Sequence, residues 1–159
     1  GLGGIFRRRI WSPPEDPTFP SYEAWRAELI ARRPPKDFGL AESAEERRHL
    51  TTIFPEAIAA LESHGADILI SHEAPECRAD GRGWQALGDL ARRLGVRFAF
   101  HAHHHDRPDY APHFHDLGFQ AHAVGYRGIT ALGGNGKVSV IRPGDYDAVG
   151  ILRWEGDDE

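Results

Sequence analysis

Methionine is absent from all 159 residues, and cysteine is represented by Cys77 alone. A single thiol forms no internal disulfide and builds no thiolate metal cluster, so any bound metal falls to histidine and carboxylate ligands. The same scarcity suits a reducing compartment, and a cytoplasmic protein is the expectation. Long apolar runs are also missing, none approaching the ~20 residues that span a bilayer. Positive charge is in deficit, with 19 Lys and Arg against 24 Asp and Glu and a net charge of −5. That balance excludes a protein held to nucleic acid by bulk charge and leaves nucleic acid only as a possible substrate. What remains is ordinary for one globular domain, with 40% hydrophobic and 27% charged residues. The opening residues GLGG carry no initiator methionine and no signal-peptide pattern, and they read as the inside of a strand. The expectation is a sequence that starts partway through a longer protein.

Taken in order, Leu2 to Phe6 reads as a short strand in which glycines let backbone approach backbone, and Arg7, Arg8 and Arg9 follow as a solvated loop or a phosphate-facing patch. The proline-rich SPPEDPTFP cannot continue a helix or a central strand. Ser21 caps a predicted helix running to about Arg33, ended by Pro34-Pro35. Ser43 with Glu46 forms a capping box for a second helix reaching Gly65 as a left-handed stop, with Pro55 kinking or dividing it. Ile68 to Ile70 reads as a strand covered on both faces. A loop with an Asp80-Gly81 turn follows, and Trp84, Leu87, Leu90, Ala91 and Leu94 mark a helix closed by Gly95. Val96 to Phe100 is the next strand. Strand, helix, strand implies parallel pairing, with both carboxyl ends on one edge. Beyond Tyr110 the segments GFQAHAVGY, RGITALGG, GKVSVIRPG and AVGILRW read as three or four antiparallel strands, before the acidic tail 155–159.

The chemistry concentrates in FAFHAHHHD, where His101, His103, His104 and His105 gather at the end of an apolar run. His72 ends the earlier run DILISH. If the two strands are parallel neighbours, these ends meet, at the edge where open α/β sheets collect ligands. Side chains alternate along a strand, so His103 and His105 are expected to project together. Neutral imidazole binds Zn, Fe, Mn or Ni, and His72, His103 and His105 could supply three ligands with a position left for water. His49 and His64 fall on helices and read as surface or packing residues.

In these residues the chain resembles the metallophosphoesterases, also called calcineurin-like phosphoesterases. Their later motifs are a lone His after an apolar strand, matched by ADILISHEAP, and Gly-His-x-His after the next strand, matched by FAFHAHHHD with Ala102 in place of the glycine. The resemblance implies that His72 and His103 bind one metal and His105 a second, in a site of two divalent ions (Mn, Fe, Zn or Ni) that binds phosphate and activates water. It implies an α/β/β/α sandwich and hydrolysis of phosphoesters, with Arg7, Arg107 and Arg127 as candidate phosphate contacts. The family's earlier motifs, Asp-x-His, Gly-Asp and Gly-Asn-His, do not occur in their expected places. Residues 1–154 are therefore expected to be the C-terminal part of a single metallophosphoesterase domain. The catalytic His and the remaining ligands would lie in an N-terminal half that the chain needs, and the chain alone would be inactive.

Two other classes fit less of the pattern. HAHHHD is one transposition from the HxHxDH signature of metallo-β-lactamase-type hydrolases, but Asp106 and His105 stand in the opposite order. An amidohydrolase would need a downstream Asp after a strand, which is not evident. A non-catalytic binding or regulatory remnant is the alternative outside enzymes.

Overall fold

The computed structural model describes residues 1–12, 15–32, 44–76 and 82–148. The Pro34-Pro35 stop, the Ser43 cap, Cys77, the Asp80-Gly81 turn and nearly all of the AVGILRW segment and the tail lie outside them.

The amino-terminal segment is held by isolated parallel bridges rather than a full strand. Leu2 pairs with Ser71 and Ile5 with Thr52. Gly4 makes the second contact possible: its φ is 115°, and a Cβ there would stand 2.9 Å from the Thr51 carbonyl oxygen. β1 (Trp11–Ser12) and β2 (Asp16–Pro17) form a two-residue antiparallel ladder.

Helix α1 (Tyr22–Arg32) begins where Ser21 Oγ accepts the Ala24 N–H at 3.1 Å, as expected of a cap, and buries Trp25 and Leu29. The predicted long second helix is divided. α2 (Ala44–His49) ends before Thr52 bridges to Ile5, and α3 (Pro55–Glu62) starts at the proline itself. Proline lacks the N–H a helix interior needs but fits the first turn. Gly65 is not the stop: α3 ends at Glu62, and Ser63 closes it in a right-handed conformation.

β3 (Ile68–Ile70), α4 (Gln85–Leu94) and β4 (Phe98–His101) make the expected parallel β-α-β unit. Gly95 closes α4 at φ 68°. After a short 3₁₀ turn, α5 (Phe114–Leu117) leads into β5 (Gln120–Ala123). β5 joins the sheet parallel to β4, giving the order β3-β4-β5. The segment GFQAHAVGY, expected to be antiparallel, is instead a parallel strand, because α5 supplies a crossover that returns the chain in the same direction. Only β6 (Ile129–Leu132) and β7 (Val138–Arg142) pair antiparallel among the later segments described. The protein is thus mixed α/β, with small sheets that include this parallel unit.

The parallel register sets which residues share a face. Leu69, Ala99 and Ala121 stand side by side, buried in the same core cluster as Leu87, Leu90 and Ala91 of α4. On the other face the expectation of full cover fails. Ile68 is 41% and Ile70 61% exposed, while the β6–β7 turn passes over Phe98, where a Gly136 Cβ would lie 3.6 Å from the ring. Three aliphatic residues in a row do not reveal whether a strand is covered once or twice. Among the described residues no helix is long and apolar enough to cross a membrane.

Candidate functional site

The carboxyl ends of β3 and β4 stay in register past their last ladder residues. Ser71 N–H donates to the Phe100 carbonyl at 3.0 Å and Ala102 N–H to the His72 carbonyl at 3.2 Å. These two bonds carry His72 and His103 forward side by side. The His103 Nδ1 and His72 Nε2 atoms come within 2.9 Å, with the rings edge to face and their centroids 4.8 Å apart. The strand-end convergence read from the sequence is therefore present for this pair.

The common direction expected of His103 and His105 is not found. β4 ends at His101, whose side chain is buried, and the next residues form bends rather than strand. His103 and His105 both hold left-handed backbone, at φ 61° and 63°. For non-glycine residues this costs roughly 1–2 kcal/mol each, and such strain concentrates at functional sites. Alternation therefore does not aim the two rings together. His103 turns to His72, whereas His105 lies against Tyr126 at 5.2 Å and Tyr146 at 6.4 Å between centroids. The Tyr126 N–H donates to the His105 carbonyl at 2.8 Å and fixes this turn. His104 packs edge to face on His103.

Glu73, passed over in the sequence, is the charged group beside the pair. It is 2% exposed, its Oε1 accepts the Phe6 N–H at 3.2 Å, and its Oε2 lies 3.9 Å from His103 Nε2. Burial pushes its carboxyl above the ordinary glutamate value, opposed by the Phe6 N–H, His72, the Trp84 indole and Arg7. The available signal was a carboxylate directly after the motif histidine in SHEAP. Asp106, at the end of the cluster, is held by Arg82 through contacts of 3.0 and 3.4 Å.

The three arginines are already engaged. Arg7 donates to Thr52 Oγ1 at 3.0 Å and the Arg48 carbonyl at 3.1 Å, and burial followed by Arg48 lowers its pKa. Arg107 pairs with Asp147 at 3.5 Å and Arg127 with Asp145 at 3.2 Å. His49 is a packing residue, its ring 4.1 Å from that of Trp25, and His64 is exposed. A cavity of about 420 Å³ lies away from the histidine pair, lined by Arg107, Tyr110, His122, Thr130 and Val140 among others but not by His72 or His103. Burial and then Arg107 push the His122 imidazole below its ordinary value.

No family model and no solved structure matches the chain. A protein of Haemophilus influenzae, described as uncharacterized, is similar: 34% identical over 151 residues, covering 89% of this chain. The chain spans only 58% of that relative's length. The similarity spans both the parallel sheet and the histidine edge.

Among the described residues, no group of three or more His, Cys, Asp or Glu side chains is gathered to hold a metal ion. His72 and His103 are two nitrogen donors, one short of the three protein ligands usual at a catalytic metal. Two nitrogens on one tetrahedral zinc stand about 3.3 Å apart, from Zn–N distances near 2.05 Å. His72 and His103 present theirs at 2.9 Å, the distance of an N–H···N hydrogen bond, so an ion would replace the shared proton and both rings would turn toward it.

Proposed function

We propose that His72 and His103 are this chain's share of a metal centre of the metallophosphoesterase type, in a parent enzyme that hydrolyses phosphoester bonds. The observation that carries the reading is the 2.9 Å approach of His72 Nε2 to His103 Nδ1 at the ends of neighbouring parallel strands. Divalent ions held there would neutralise charge on phosphoryl oxygens and lower the pKa of a bound water. Within this chain, His72 and His103 present nitrogen ligands to one position. His105 belongs to a second position in this reading, and its left-handed turn is where it would reorient from Tyr126 and Tyr146. Arg7, Arg107 and Arg127 would meet phosphate only by exchanging their present oxygen partners.

The remaining ligands and the proton donor are assigned to a further part of the parent protein. Exposed Ile68 and Ile70 support this, because two adjacent apolar side chains on one sheet face suit a second layer, as in an α/β/β/α sandwich. The chain by itself is then a binding piece. Calorimetric titration with Zn²⁺ and Mn²⁺ tests the centre: His72→Ala and His103→Ala each weaken binding at least tenfold, while His64→Ala leaves it unchanged. Equal affinity in all four proteins rejects the site. The chain alone hydrolyses bis(p-nitrophenyl) phosphate no faster than free metal, and robust turnover would overturn the assignment of the missing groups elsewhere.

A further inference from the structure

We propose that Glu73 is the positioning residue of the histidine pair, holding the His103 ring by the nitrogen opposite the one presented to His72. This rests on the metal-centre reading. The two ring nitrogens of His103 face different partners: Nδ1 lies 2.9 Å from His72 Nε2, and Nε2 lies 3.9 Å from Glu73 Oε2. A neutral imidazole carries its proton on one nitrogen and a lone pair on the other. A carboxylate beside Nε2 favours the proton there, which leaves the Nδ1 lone pair directed at the position shared with His72. Carboxylate, histidine and metal in that order are a recurrent way of fixing the tautomer of a ligand. Glu73 meets His103 at Nε2 and not at the Nδ1 that faces His72, so its place is to orient this ring.

Glu73 itself is anchored from three directions. Phe6 N–H donates to Oε1 at 3.2 Å, the Trp84 indole is a further donor to the carboxylate, and Ser71 Oγ donates to the Glu73 carbonyl at 2.8 Å. Its side chain is 3% exposed, against 35% for that of His103, so the fixed group is the carboxylate and the moving one is the ring. At 3.9 Å the contact is electrostatic. A ring movement of about 0.7 Å brings it within the ~3.2 Å limit of a hydrogen bond. His103 needs such a restraint, because its backbone lies at φ 61° in a bend and not in a strand ladder.

The test uses long-range ¹H–¹⁵N correlation of the imidazoles in the metal-free chain near neutral pH, with His103 assigned by His103→Gln. Wild type shows His103 mainly protonated at Nε2, and Glu73→Gln shifts it toward Nδ1 protonation. Glu73→Gln also weakens Zn²⁺ binding by about 10–100-fold with both histidines intact, and Glu73→Asp restores part of the loss. Circular dichroism and the urea midpoint of each variant separate these effects from unfolding. An unchanged His103 ring spectrum in folded Glu73→Gln overturns the proposal, as does wild-type zinc affinity in that variant. Should wild type bind no zinc, the metal-centre reading falls by itself, and the ring spectrum still decides the role of Glu73.

Discussion

Neighbouring residues of β3 offer a direct test of the one-sided sheet. Leu69 is 3% exposed and shares a cluster with Leu87, Leu90 and Ala91, while Ile70 is 61% exposed. Leu69→Ala removes buried carbons and leaves a cavity, at a cost of about 2–5 kcal/mol. Ile70→Thr keeps the branched Cβ, so strand preference is nearly constant and the change reads burial. Fully burying an isoleucine stabilises by roughly 1.5–3 kcal/mol, and with about two-fifths of it covered the loss is about 1 kcal/mol or less. Urea unfolding followed by tryptophan fluorescence measures both, because Trp11 and Trp25 are buried. The slope must match wild type for the midpoints to be compared. If Ile70→Thr costs as much as Leu69→Ala, the outer face is covered in solution and the reasoning fails. In a longer parent protein whose second layer packs on β3, the same Ile70→Thr change should cost about 2 kcal/mol.

His49 is buried, and burial, Arg7, Arg9 and Arg48 lower its pKa against the opposing pull of Glu45. A lowered folded-state value contributes stability present above the unfolded value near 6.5 and lost as pH falls toward the folded one. The urea midpoint of wild type therefore falls as pH drops below about 6.5, His49→Phe flattens that slope, and an unchanged slope refutes the assignment. Gly4→Ala forces a side chain against the Thr51 carbonyl at positive φ and should destabilise by at least ~1 kcal/mol. Gly3→Ala meets nothing within 4 Å and serves as the control, so equal midpoints for the two variants would exclude the close approach.

The β-α-β unit was legible because three signals agreed: an apolar run, a helix-spaced stripe from Trp84 to Leu94, and Gly95 in place for a left-handed stop. The same patterns misread β5 as antiparallel, since direction is set by the connection and α5 is only the four residues Phe114–Leu117. Burial of Ile68 and Ile70 was misread because a strand's own composition does not encode what lies above it. At the site, His72 and His103 were legible as strand ends. The separate course of His105 was not, because it depends on two left-handed residues that are histidines where glycine or asparagine is usual. Glu73 was hidden for a related reason: its carboxylate is buried by Phe6 and Trp84, partners distant in sequence.

The histidine pair and the bare sheet face belong to opposite sides of one energetic division. The pair is positioned by backbone bonds between β3 and β4, and by a carboxylate fixed to the amino-terminal segment and to Trp84 beside α4. Those groups adjoin the core cluster on the covered face. Removing or adding a layer over Ile68 and Ile70 changes the stability of β3 as a whole without breaking any of these contacts. The pair's geometry should therefore survive in the chain alone, and metal affinity can be lost by substitution at His72 or His103 with little change in unfolding midpoint. Substitution at Ile70 should do the reverse in a covered parent protein, lowering the midpoint while sparing affinity. A variant at Ile70 that abolishes zinc binding while the fold persists would show that the outer layer orders the site, and the division would be wrong.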